Sequence, residues 1–308
     1  MKFEYIVKKN DEGKKVKELL KDNLYVSSIL LRKLRENKKI YVNDIKTFTN
    51  YLVKENDVVS FLLDGDITTS NARFEDKFKL IDLPLDILYE DDYLLIVNKD
   101  KNMPIHPSCN NYENTLSNIV AAYLKKKGIY NIHIVTRLDH NTTGICIFAK
   151  NAYIQELFIR KKNIINIEKI YTAICYGILE NEHAIIEKNI ARKKDTIILR
   201  EVNKNGEFAK TEYFVKQVNK EKNYTVLKIL LHTGRTHQIR VHMSYINHPL
   251  LGDELYANEC GIENISKYIT RQALHSSKIV FNHPVTNTHI EIVSPIPDDM
   301  QKLIDNCN

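Results

Sequence analysis

The chain has 308 residues, 43% apolar and 27% charged, the proportions of a globular protein with room for two domains. Its net charge of +6 suits a polyanionic partner, yet many proteins without a nucleic-acid role are as basic. No apolar run of 18 residues occurs, and Met1-Lys2-Phe3-Glu4-Tyr5 has no apolar signal core, so the expectation is a cytoplasmic protein with no membrane association. The five cysteines, Cys109, Cys146, Cys175, Cys260 and Cys307, are scattered with no CxxC pair, which argues against a disulfide framework or zinc ribbon. Cys146 and Cys175 lie in apolar runs and read as core thiols. His237 and His242 are five apart, roughly 140° on a helix, so they do not share a face and no metal is expected.

Residues 1–64 read as a separate unit. Val16, Leu19 and Leu20 predict a short helix. Ser27-Ser28 can cap a second, with Ile29, Leu30, Leu31 and Leu34 following. Its end is basic: Arg32, Lys33, Arg35, Lys38 and Lys39 stand against one anion, Glu36. Strands are expected over 40–43 and 57–61. Residues 65–85 begin polar and read as a linker. The remaining 86–308 form the second domain. A buried strand is expected over 93–97. Leu116, Ile119, Val120, Tyr123 and Leu124 keep helical spacing, with Asn114 as cap and Gly128 as stop. Strands then recur near 145–149, 170–176, 210–217, 224–231 and 289–293, with helices near 151–162 and 236–246. Strands alternate irregularly with helices and many are joined by short turns. That pattern predicts α+β with a mixed, largely antiparallel sheet flanked by helices.

Two stretches carry the chemistry. The first is Thr136-Arg137-Leu138-Asp139-His140-Asn141-Thr142-Thr143-Gly144 ahead of the apolar run 145–149. It would hold a carboxylate on a tight loop at a strand end. The second is Thr233-Gly234-Arg235-Thr236-His237-Gln238-Ile239-Arg240-Val241-His242. A turn there leads into a helix with Thr236 near its start. Ile239, Met243 and Ile246 form its apolar face, and Arg240 lies about 100° round from Ile239. An arginine at that edge can be partly buried and aimed at a carboxylate.

Together these stretches resemble the RluA family of RNA pseudouridine synthases. Arg137, Leu138, Asp139, Thr142 and Gly144 match the family's H-R-L-D-x-x-T-S-G loop, and nine of the ten residues at 233–242 match T-G-R-x-H-Q-[IL]-R-V-H. Lys169-x-Tyr171-x-Ala173-x3-Gly177 matches its tyrosine motif. Arg271-Gln272-Ala273-Leu274-His275 and Phe281-x-His283-Pro284 match its C-terminal signature. The resemblance runs from about residue 86 to 300. Thr136 stands for the usual His and Thr143 for the usual Ser. The segment Val97-Asn98-Lys99 through His106-Pro107 follows another family pattern but lacks its first proline and its glycine. The two-helix, strand and basic-helix pattern of 1–64 resembles the S4 RNA-binding domain.

The resemblance implies isomerisation of uridine to pseudouridine in structured RNA. The N1–C1′ bond breaks, the base rotates, C5 joins C1′ and the C5 proton leaves. Nothing is oxidised or added, so no cofactor is expected. The resemblance assigns Asp139 as nucleophile. It also implies that Tyr171 lines the uracil pocket, stacking on the base or taking part in C5 deprotonation, and that Arg137 fills the RNA stack when the base flips out. A carboxylate desolvated by RNA would take up a proton unless a cation stayed beside it. Arg240 is the residue chosen for that cation, with Arg235 as competitor and otherwise a phosphate contact. His106 and the basic residues Arg32, Lys33, Arg35, Lys38 and Lys39 complete the expected RNA contacts. The partner expected is large-subunit ribosomal RNA, bound by a monomer. The alternatives are a tRNA pseudouridine synthase and a non-catalytic RNA-binding ribosome-assembly factor.

Overall fold

The computed structural model describes residues 1–64, 79–106, 114–194 and 196–307. Most of the expected linker, and Cys109, lie outside the described residues. Residues 79–86 carry no regular element.

The first 64 residues build a four-stranded sheet. β1 (Lys2–Ile6), β2 (Ile40–Val42), β3 (Ile45–Lys46) and β4 (Val58–Leu62) pair in the order β1-β4-β2-β3. Two helices cover it, α1 (Val16–Asp22) and α2 (Ser28–Glu36). The Ser27 hydroxyl accepts from the Leu30 amide at 3.2 Å, the expected cap of α2. Leu34 is buried beneath α2 while Arg32 and Arg35 face solvent. β1 is not legible in the sequence: Lys2 and Glu4 alternate with Phe3 and Tyr5 in a stretch too short to read as strand.

The larger sheet has ten strands. It runs β10 (His183–Glu187), β13 (Lys210–Asn219), β14 (Tyr224–Leu231), β9 (Glu168–Tyr176), β15 (Leu274–Asn282), β8 (Thr143–Ala149), β6 (Leu94–Lys99) and β5 (Ile87–Glu90). Two further strands attach, β16 (His289–Val293) on β15 and β7 (His133–Ile134) on β8. Among the described residues the one parallel pairing is β15 with β8, where His275 faces Thr143 and Ser276 faces Gly144. A mixed, largely antiparallel sheet is what the pattern predicts. At that seam Gly144 has φ +108°, and a Cβ there would lie 2.3 Å from the Ser276 carbonyl oxygen. Only glycine permits both the conformation and the approach. A separate hairpin joins β11 (Ile190–Arg192) to β12 (Arg200–Val202).

The helices are α3 (Leu116–Lys126), α4 (Ala152–Arg160), α5 (Lys162–Ile165), α6 (Gln238–Tyr245), α7 (Glu254–Ala257) and α8 (Asp298–Asp305). Three boundaries differ from expectation. Thr115, not Asn114, caps α3, accepting from the Asn118 amide; Asn114 is left-handed at φ +66° and cannot take a cap's extended conformation. The helix expected over 151–162 breaks at Lys161 into α4 and α5. Thr236 lies outside α6, whose N-cap is His237 at φ +56°. The central strand β15 escapes sequence reading because Ser276, Ser277 and Lys278 interrupt its apolar pattern.

The two units share packed surface. Phe3 stacks on Phe61 with ring centroids 5.2 Å apart. Tyr153 of α4 meets Phe3 edge-on at 4.7 Å and Phe61 at 5.2 Å, and its hydroxyl donates to the Leu24 carbonyl at 2.6 Å. One apolar cluster thus runs from β1 and β4 to β8 and α4.

Candidate active site

The loop ahead of β8 carries Asp139, and side chains from distant segments pin it. The Thr136 hydroxyl accepts from the Ile147 amide at 2.9 Å, so threonine anchors the loop where the family pattern has histidine. The Thr142 amide donates to the Asp139 carbonyl at 3.1 Å, closing a turn. Thr143 meets His275 Nδ1 at 2.9 Å across the parallel seam. Arg271, held by Asp299 through two bonds of 2.8 Å, donates to the Asn141 carbonyl at 3.2 Å.

Beneath the loop lies Lys99, only 1% exposed. Its Nζ donates at 2.8 Å to the carbonyls of Asp100, Met103 and His140. Burial pushes its pKa down to about 8. Sequence reasoning misses it, although a signal exists. Leu95, Val97 and Lys99 share parity in β6, and the first two are core, so the period of two carries the lysine inward.

The second motif forms the opposite wall. Gln238 stitches the turn to β13: its Oε1 accepts from the Thr233 hydroxyl and the Arg235 amide, and its Nε2 donates to the Lys210 carbonyl and the Thr211 hydroxyl. His242 binds Thr211 Oγ1 and the Lys188 carbonyl. These contacts fix the start of α6. Ile239 and Met243 enter the core, and Arg240 points at the loop.

Arg240 spans two carboxylates. Its Nη1 donates to Asp139 Oδ2 at 3.3 Å, while Nε and Nη2 grip Asp253 at 2.7 and 2.8 Å. The guanidinium also lies 4.9 Å from the Tyr256 ring centroid, a cation–π contact. Burial acts to lower its pKa, but the bond and charge of Asp253 outweigh that and hold it above its ordinary value. Asp253 is 2% exposed and is not found from sequence. Its one signal is Gly252 before it, at φ +73° with a Cβ position 2.0 Å from the Arg271 carbonyl oxygen, which marks a forced turn behind an apolar pair.

His237 Nε2 lies 3.9 Å from Asp139 Oδ2, and its Nδ1 meets the Tyr256 hydroxyl at 2.9 Å. Burial holds its pKa below the ordinary value, with Asp139 opposing. Tyr171 sits on β9, and burial raises its phenol pKa first of all. Asp139, Arg137, Lys169, Tyr171, His237 and Arg240 line one cavity of about 240 Å³. Lys169 is a lining residue to which the sequence assigns no role; burial lowers its pKa.

Of the expected residues, the structure brings Asp139, Arg137, Tyr171, Arg235 and Arg240 to this cavity. Arg235 is on the rim, ion-paired with Glu207 and donating to the Phe208 carbonyl; it makes no bond to Asp139. His106 is exposed near Arg137, and partial burial, then that charge, lowers its pKa. Arg32, Lys33, Arg35, Lys38 and Lys39 belong to α2 and the turn after it, and none lines the cavity. Among the described residues no three His, Cys, Asp or Glu gather as a metal site, and no helix is long and apolar enough to cross a membrane.

A buried arginine aimed at one carboxylate on a strand-end loop, with a tyrosine lining the same cavity, is the arrangement the motifs imply. Comparison with known proteins gives the family. A family model described as RNA pseudouridylate synthase matches residues 93–245. The chain is 33% identical over 266 residues to the uncharacterized RNA pseudouridine synthase YjbO of Bacillus subtilis, covering 86% of this chain and 89% of that protein. It is 36% identical over 253 residues to the ribosomal large subunit pseudouridine synthase D of Vibrio cholerae, covering 79% and 77%. The fold is shared with a solved structure of human RNA pseudouridylate synthase domain containing 4, at TM-score 0.57 and 20% identity, covering 72% of this chain and 92% of that one.

The chain belongs to the RNA pseudouridine synthase family, in its RluA branch. It is an isomerase that acts on uridine in RNA.

Proposed function

We propose that Asp139 is the nucleophile for pseudouridine formation in large-subunit ribosomal RNA. The observation that carries the assignment is that Asp139 is the one acidic side chain lining the cavity among the described residues, and that Arg240 binds it. Arg240 orients the carboxylate toward the sugar of a flipped uridine. Asp139 displaces the base at C1′ or stabilises the sugar cation as the N1–C1′ bond breaks. The detached base turns, C5 bonds to C1′ as the Asp139 carboxylate leaves it, and the freed carboxylate takes the C5 proton and passes it to water. Tyr171, a buried phenol, stacks on the base or takes part in the removal of the C5 proton. Arg137 occupies the gap left in the RNA, offsetting part of an unstacking cost of a few kcal/mol. A hydrolase of the retaining-glycosidase kind would need a second carboxylate as acid and base. Asp253 is committed to Arg240 and does not line the cavity.

The ribosomal target is supported by relatives such as the Vibrio cholerae enzyme. The S4-like reading of residues 1–64 rests on exposed cations of α2. The test is Asp139→Asn. It should bind RNA and release no tritium from C5-labelled uridine in large-subunit ribosomal RNA, because the amide cannot attack as a carboxylate does. Appreciable turnover by this variant removes Asp139 as nucleophile. In cells lacking the gene, at least one pseudouridine should vanish from that RNA; loss confined to tRNA redirects the substrate assignment.

A further inference from the structure

Beside the active-site cavity lies a groove of about 430 Å³ that shares Arg137, Gly234 and Arg235 with it. Its far wall is the β11–β12 hairpin. Arg192 and Arg200 stand directly opposite each other in that strand pair. Like charges so placed destabilise a two-stranded ribbon, and an anion between them would remove the penalty. Arg200 is held in place: its Nη1 donates to the carbonyls of Ile198 and Leu199. Its backbone amide donates to Tyr256 Oη at 3.1 Å, the same oxygen that meets His237. The hairpin is therefore tied to the Asp139 site. Four arginines line the groove against one carboxylate, Glu207, which pairs with Arg235. Arg137 and Arg192 have no hydrogen bond or ion pair among the described residues.

We propose that this groove binds a phosphodiester of a nucleotide adjoining the target uridine, with Arg192 and Arg200 as its ligands. Guanidinium donors match phosphate oxygens in geometry and charge. Arg137 lines both spaces, so a chain entering the cavity at its base leaves its backbone over the hairpin. Arg235 is the weaker candidate for this role because Glu207 and the Phe208 carbonyl already occupy it. The inference rests on the reading of the Asp139 cavity as the place of the target uridine.

The test uses the full-length protein with Asp139→Asn as background, so that turnover does not disturb binding, and in vitro-transcribed large-subunit ribosomal RNA as probe. Arg192 is exposed, so Arg192→Ala should fold normally, which its thermal midpoint checks. It should weaken binding at least about fivefold, as expected when a charge-assisted hydrogen bond is removed. The slope of log affinity against log salt should become shallower by roughly 0.7–0.9 for each phosphate no longer neutralised. Arg200→Ala should act in the same direction, and Arg192→Glu more strongly. A neutral methylphosphonate at the linkage beside the target uridine, in a short synthetic RNA, should weaken the parent but not the Arg192→Ala protein. Unchanged affinity and salt slope in Arg192→Glu overturn the groove while leaving the Asp139 assignment intact. Turnover by Asp139→Asn alone, with Arg192-dependent binding preserved, does the reverse.

Discussion

Arg240 is held by two carboxylates, and the shorter bonds go to the one outside the cavity. Asp253 grips it bidentately in a buried setting, which fixes the remaining Nη1 toward Asp139. On the role proposed for Arg240, Asp253 is a positioning residue that acts through it. Asp253→Asn is expected to lower kcat far more than it raises KM. Adding Arg240→Ala to it should cost little further rate, because both changes remove one device. Stability should behave differently. Asp253→Ala leaves a buried guanidinium short of its partner, a loss of about 3–5 kcal/mol, and the double variant Asp253→Ala/Arg240→Ala should regain part of it. Additive rate losses in steady-state kinetics would show that Asp253 has a role of its own. Helix phase alone favours Arg240 over Arg235, and a bond of 3.3 Å joins Arg240 to Asp139. The dependence on Asp253 is not legible in the sequence, since no periodicity links a loop carboxylate to a helix arginine thirteen residues earlier.

The end of β6 serves the Asp139 loop as well as the sheet. Lys99 donates to three carbonyls, one of them next to Asp139. An ammonium has three protons for those three acceptors; a neutral amine has two. Burial places the folded pKa at about 8, below the ordinary lysine value of 10.5. Between those values the unfolded chain binds more protons, so this group's contribution to stability rises with pH. Below about 8 both states carry the proton and the contribution is flat. Loop order runs the other way, because deprotonation leaves one carbonyl without a donor. The expected result is kcat falling as pH rises through about 8 while the thermal midpoint does not fall with it. Lys99→Met should reproduce the loss of kcat at neutral pH and also lower the midpoint, each abandoned carbonyl costing roughly 1–3 kcal/mol. A pH–rate profile flat to about pH 10 in single-turnover assays would show that the ammonium persists, as in an unburied lysine.

Across the whole molecule, the aromatic cluster of Phe3, Phe61 and Tyr153 ties the first unit to the second. The sequence suggests a separate unit at 1–64, because the motifs that carry the family resemblance all lie beyond 85. Motif position says nothing of which surface a unit buries. Removing residues 1–64 uncovers Tyr153 and the side of α4 that packs there. The 65–308 fragment should therefore melt below the full chain, which itself should unfold in one calorimetric transition. The fragment should also bind ribosomal RNA more weakly and with a shallower salt slope, because the exposed cations of α2 go with the deletion. Two separate transitions in the full chain, one unchanged in the fragment, would show that the shared cluster contributes no coupling.

The sequence by itself determined what depends on neighbours along the chain. Period and capping placed α1, α2 and half of the strands among the described residues. The motif put Asp139 on a strand-end loop, and the phase of α6 put Ile239 in the core and Arg240 at its edge. Residue types at fixed spacing also identified the family. Tertiary structure decided what depends on segments far apart. It set Asp253 behind Arg240, and Lys99 and Arg271 beneath the loop. It also fixed the parallel seam that requires Gly144, and the facing of Arg192 and Arg200 beside the cavity. Asp139 and Arg240 are 101 residues apart, and pairing at that range follows from strand order and buried charge. The order β9-β15-β8 inserts a strand from residues 274–282 between two that lie far earlier in the chain. No local period records such an insertion, because the free energy that selects it comes from burying the whole sheet.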